Sequence, residues 1–384
     1  MRRFLAVAAV ASLGLAGCDW IKSPGGKEVN PPVELTDFAP TLGVSRVWSR
    51  DLGDGAGKSA FKLRPAYGDG LVFASDSSGN VAAFDAASGA PRWRTELPEP
   101  ASSGPGVGDG LVVVGGVEGA VVALSAEDGS QRWTARASSE VLAPPAVAGG
   151  VVVVRAQDGR LFGFDAADGS RRWVFDRGVP LLTLRGNGAP LVADGVVYAG
   201  YDNGKVVALN VGDGVLRWEQ TLAQPEGRTE LERMVDVDGE LALGNGELFA
   251  ASYRGQVGAL TPDNGRVVWS RDVSSAAGVA LAGDKLVVVA EDGAVAALDI
   301  RSGAALWKQD GLAYRWPGSP VVVGGHVLVG DFEGFLHWLS IEDGSFAARQ
   351  RMGDEGIRAT PLVVGDVVYV ASAEGELAAW RVGG

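Results

Sequence analysis

Histidine occurs only twice in the 384 residues, at His326 and His337, and there is a single cysteine, Cys18. Neither histidine stands at the spacing of a metal site, and one cysteine allows no internal disulfide. His337 alternates with apolar residues in FLHWL, the setting of a packed or hydrogen-bonded strand residue. No glycine-rich stretch joins a strand to a helix as phosphate cradles require. No catalytic residue, metal site or cofactor site is therefore expected. Recognition chemistry is concentrated instead in LLTLRGNGAP (181–190) and RTELERMVDVDG (228–239). Leu182 and Leu184, in an otherwise polar loop, can anchor in a partner's pocket, and Arg185 is a bidentate donor. Asp236 and Asp238 can accept from a partner's Arg or Lys, and Arg233 is a further candidate in the same stretch. The same residues admit an internal reading, with the leucines packing their own loop and Arg185 pairing with the two Asp residues. Too few further oxygen ligands stand nearby for a calcium site.

What positions these stretches is a repeat. One turn recurs eight times, with its glycine at Gly79, Gly119, Gly159, Gly204, Gly255, Gly293, Gly334 and Gly375. Nine residues before each lies a second turn, such as Asp69-Gly70 or Asp194-Gly195. Ten residues after each of the first seven lies a third, as in FDAASGAPRW, LSAEDGSQRW and FDAADGSRRW. Between the turns run short β-branched segments such as LVVVG, VVVVR and VVYVA, which read as strands joined by hairpins. Four strands in a repeat near 40 residues is the signature of a propeller blade. The expected fold is all-β, an eight-bladed β-propeller of four-stranded antiparallel blades over 44–384. The eighth unit lacks its last strand, and VSRVWSRD (44–51) has no blade of its own, so this N-terminal strand is expected to close the ring. Trp93, Trp133, Trp173, Trp218, Trp269 and Trp307 recur four residues after the third glycine and are read as scaffold. Ala348 takes that place in the seventh unit, where Phe346 is expected to compensate.

The rhythm breaks twice. The recurring glycines are spaced 40, 40, 45, 51, 38, 41 and 41 apart, and the excess falls in two adjacent connections. Neighbouring inter-blade loops lie on one rim, so the insertions should form one patch holding 181–190 and 228–239.

Composition agrees with a folded chain, 46% hydrophobic and 21% charged. The net charge of −13 argues against nucleic acid as a partner. The N-terminus, MRRFLAVAAVASLGLAGC, has a basic start and an apolar run too short to span a bilayer with ordinary flanks. Its end, Leu15-Ala16-Gly17-Cys18, resembles the lipobox of bacterial lipoproteins. The resemblance implies a signal peptide over 1–17 and lipid on Cys18. Residues 18–43, rich in Pro, Gly and charge, are read as the lipidated cysteine and a tether.

The pattern D-x-x-(S/D/N)-G-x-x-x-W resembles the tryptophan-docking repeats of quinoprotein dehydrogenases. Those enzymes use pyrroloquinoline quinone, calcium and an adjacent cysteine pair, and the pair is missing here. Lipobox, eight repeats and the stretches 181–190, 228–239 and 319–346 together resemble the propeller lipoproteins of the outer-membrane β-barrel assembly machinery. The likeness covers nearly the whole mature chain. In that family the propeller docks on the periplasmic domains of the barrel subunit BamA through L-x-L-R and D-V-D segments. Those match Leu182, Leu184 and Arg185, and Asp236 with Asp238. The resemblance implies a non-enzymatic scaffold, lipid-anchored in the outer membrane and facing the periplasm, that assists insertion of outer-membrane proteins. Asp19, after the lipidated cysteine, leaves inner-membrane retention open. A second departure, beside Asp19, is that the DVD segment continues DGELALGNG without the proline that opens most other blades; the alternative reading is a quinone-dependent dehydrogenase or a small-ligand-binding relative.

Overall fold

A computed structural model describes residues 30–57, 59, 61–178, 180, 182–184 and 188–383. Cys18 and the signal segment lie outside these residues. The described residues form eight four-stranded antiparallel sheets, each from four consecutive strands except one. In that sheet Val44–Asp51 pairs with Glu376–Val382, Val44 opposite Val382 and Asp51 opposite Glu376, which closes the ring. This is the eight-bladed propeller the repeat implied.

Each blade follows the same physical logic. The second and third strands, such as Val151–Arg155 and Leu161–Asp165, are almost wholly buried, as their β-branched and aromatic residues require. The fourth strand alternates, so Gln131–Arg136 exposes most positions and buries Trp133. The first hairpin of blade one turns through Asp69 (φ +49°) and Gly70 (φ +78°), the left-handed pair that suits a two-residue hairpin. Eight apolar clusters form, each straddling two adjacent blades.

The tryptophans join one blade to the next. The Trp93 indole N–H donates to the Ala126 carbonyl at 3.0 Å, and Trp133 donates to Ala166 at 2.8 Å. The same bond recurs from Trp48, Trp173, Trp218, Trp269 and Trp307. What lies against each indole is the glycine of the next blade's third turn. A Cβ on Gly129 (φ +71°) would stand 2.5 Å from the Trp93 ring, so both space and backbone demand glycine.

Ala348 breaks the series because the eighth blade has no such turn. Its last two strands come from opposite ends of the chain, and the amides of Thr41 and Leu42 bond the Ala347 carbonyl at 2.9 and 3.1 Å instead. Phe346 stacks on Phe38 with ring centres 5.6 Å apart. Residues from Val33 onward, expected within the tether, are thus held against the seventh blade. Val33 N–H donates to Ala313 O, and Arg349 Nη1 donates to Thr36 O. Leu35, Phe38 and Leu42 make this contact without any period, which is why composition alone read the segment as linker.

Candidate functional site

All inter-blade connections emerge on one face, with the recurring Ser78-Gly79 type of turn; the Asp69-Gly70 and Gly89 turns lie on the other. The two long connections, 176–190 and 222–241, are neighbours on the first face. A Cβ at Gly188 would lie 2.6 Å from Gly239 O, so their backbones touch.

Leu182 is 42% exposed and Leu184 is half-buried, while Arg185 lies outside the described residues. Arg233 is exposed, its guanidinium 3.5 Å from Glu230. Sequence reasoning missed Leu231, which is 56% exposed. A single capped turn holds it out: Glu232 Oε2 accepts from the Arg228 and Thr229 amides, and Thr229 Oγ1 accepts from the Glu232 amide. The signal was present as Thr229-Glu230-Leu231-Glu232, a capping box. Arg254 clamps the turn by donating to the Leu231 carbonyl.

Asp236 and Asp238 do not offer carboxylates to the surface, contrary to the expectation that they accept from a partner. They are 0% and 3% exposed and face a buried cluster with Arg155 and Asp202. Arg155 ends the strand Val151–Arg155 of the third blade, and Asp202 sits in the turn after Val196–Gly200 of the fourth. Arg155 Nη2 is 2.8 Å from Asp202 Oδ1 and 3.9 Å from Asp238 Oδ1, with its guanidinium 5.2 Å over the Tyr201 ring. Asp236 Oδ2 accepts the Leu184 amide, the direct tie between the two long loops. Backbone bonds from Val237 to Tyr201 O and from Tyr253 to Asp236 O fix the segment on both sides. Burial pushes the Asp236 carboxyl up to about 6 against the pull of the Leu184 amide. Burial and then the Asp202 charge push Asp238 well above the usual carboxylate range. Asp236 therefore positions Leu184 from beneath, and the loops expose Leu182 and Leu231 beside the Arg233–Glu230 pair. Removing one partner from such a cluster costs about 3–5 kcal/mol.

Glu240, just past this segment, occupies the place that Arg64 holds in blade one, before the inner strand. The two blades lie on opposite sides of the ring. Arg64 Nη1 and Glu240 Oε1 meet at 2.7 Å, and Thr360 of the eighth blade donates to the same oxygen at 2.9 Å. The bond crosses the central cavity, which has a volume of about 550 Å³ and is lined by the inner strands and the residues that precede them, such as Pro65, Pro105 and Pro145. Loss of the opening proline in blade five goes with this cross-channel contact. Elsewhere, His337 is buried with Nε2 3.0 Å from Asp331 Oδ2, a hydrogen-bonded core residue. Among the described residues no group of three His, Cys, Asp or Glu side chains has the geometry to hold a metal ion.

Comparison with known proteins places these features. The family model described as outer membrane protein assembly factor BamB matches residues 35–114, 77–309 and 291–382. The outer membrane protein assembly factor BamB of Pseudomonas aeruginosa is 44% identical over 377 residues, covering 98% of each chain. That of Escherichia coli K12 is 33% identical over 387 residues, again covering 98% of both. The crystal structure of BamB from Moraxella catarrhalis superposes with a TM-score of 0.82 at 27% identity, over 88% of this chain and 99% of that one. A quinohemoprotein alcohol dehydrogenase from Comamonas testosteroni has a TM-score of 0.70 at 16% identity, over 88% and 76% of the two chains, a likeness of fold alone.

Proposed function

Because the chain belongs to the family of outer membrane protein assembly factor BamB, we propose that it docks on the barrel subunit BamA through the patch built by its two long loops. It is an outer-membrane assembly factor and not an enzyme. The observation that carries the docking reading is the tie from Asp236 to the Leu184 amide, over a buried Arg155–Asp202–Asp238 cluster. Two loops so joined hold Leu182 and Leu231 exposed on one face, with Arg233 two residues after Leu231. A rigid anchor of this kind loses little entropy on association. Arg185, one peptide beyond Leu184, is the second cation of the proposed surface. Asp236 and Asp238 serve the surface from beneath.

The anchoring reading is that residues 1–17 are removed and lipid on Cys18 holds the protein at the periplasmic face of the outer membrane. Acyl chains hold a protein on a membrane without a spanning helix, and among the described residues no helix is long and apolar enough to cross one. The contact of Val33 with Ala313 sets where the tether leaves the propeller, beside the connection between blades six and seven.

The test is co-purification with BamA from membranes. Leu182→Ala with Leu231→Ala is expected to lower recovery at least about tenfold, since central apolar anchors each carry roughly 1–2 kcal/mol or more, with an unchanged melting temperature. Recovery equal to the unaltered chain contradicts the site.

A further inference from the structure

A second recognition feature stands on the same face, in the connection between blades six and seven, two connections on from the second long loop. Trp316 is 70% exposed, the most exposed of the large apolar side chains described. Its φ is +46°, and Tyr314, two residues earlier, has φ +57°. Bulky residues rarely hold this conformation, and it persists only where the surroundings impose it. Here they do. Arg315 is buried, with Nε 2.8 Å from Asp331 Oδ2 and a further bond to Glu333. Phe332 N–H donates to Arg315 O, and Gly318 N–H donates to Gly330 O. The residues on either side are locked inward while the indole is held out, edge-on to Phe332 at 5.4 Å.

The indole walls a groove of about 510 Å³ between the connections of blades five to eight and the segment entering blade one. Phe332, Ile357 and Pro317 supply its apolar side, and Lys62, Arg358 and Glu355 its charges. Lys62 and Arg358 are exposed, and neither has a carboxylate within ion-pair distance among the described residues; Arg358 donates to the Ser59 carbonyl. The groove therefore carries a net positive charge on a chain whose total is −13. An aromatic wall beside two unpaired cations is complementary to an apolar group that carries a carboxylate.

We propose that this groove binds an extended polypeptide segment in which an aromatic residue neighbours an acidic one. Trp316 and Phe332 receive the ring, and Lys62 and Arg358 receive the carboxylate. The concave shape suits side chains; a membrane surface would meet a flat or protruding patch. The site is independent of the docking surface above, because none of its residues belongs to the two long loops.

Fluorescence anisotropy on the full chain tests it, with dye-labelled pentapeptides alternating phenylalanine with aspartate or with lysine. The aspartate peptide is expected to bind at least about tenfold more tightly than the lysine peptide. Trp316→Gly, which relaxes the backbone, should weaken the aspartate peptide about tenfold without lowering the melting temperature. Lys62→Glu should abolish the preference for aspartate, and Leu182→Ala should leave binding unchanged. Equal affinity for the two peptides overturns the proposal, as does binding that survives both Trp316→Gly and Lys62→Glu. Trp316-dependent binding to anionic phospholipid vesicles in place of peptide also overturns it.

Discussion

At the scale of single residues, the aspartates of the DVD segment do their work from inside. Asp236 ionises at about 6, above the ordinary 3.8, because it is buried. The folded chain thus takes up a proton at a pH where the unfolded chain does not. Stability through this group rises as the pH falls from 7 toward 4 and is lost as it rises through about 6. Urea unfolding at pH 7.5 and 5 should show a gain of about 1 kcal/mol that Asp236→Asn removes. An identical pH dependence in the variant would assign the effect elsewhere. Arg155→Leu should cost about 3–5 kcal/mol in the same assay, because Asp202 and Asp238 then lie buried without their cation. Asp236 and Asp238 stood out in the sequence, but their burial did not. It depends on Arg155 and Asp202, which are distant in sequence, meeting between blades three and four. Leu231 was within reach of sequence reasoning, since its capping box is contiguous.

At the scale of elements, the tryptophan bridges explain both the repeat and its exception. Each indole needs the glycine turn of the following blade, and Ala348 has no such turn ahead of it. Trp133→Ala should cost about 3–5 kcal/mol, the usual loss for a large buried aromatic. Ala348→Trp, which restores the pattern, should destabilise by about 1–3 kcal/mol through overpacking beside Trp338 and Met352. A gain in melting temperature on Ala348→Trp would refute this account. Strand order, turn positions and ring closure were legible because hairpins depend on residues close in sequence. The strap from Val33 to Leu42 was not, because three apolar side chains on an irregular backbone carry no period.

For the whole molecule, the ring is braced along its rim and across its middle. The Arg64–Glu240 pair joins blades one and five, 176 residues apart. Both side chains are about a third exposed, so a double-mutant cycle with Arg64→Ala and Glu240→Ala should give a coupling of about 1 kcal/mol or less. One face gathers Leu182, Leu231 and Trp316, while Val215 and Leu306 are exposed near the other. The central claim is that the first face meets the partner. Photo-crosslinking amino acids placed at 182, 231, 215 and 306 in growing cells would test it most directly. The account predicts adducts with BamA from 182 and 231 and none from 215 or 306. Adducts from 215 and 306 alone would contradict it.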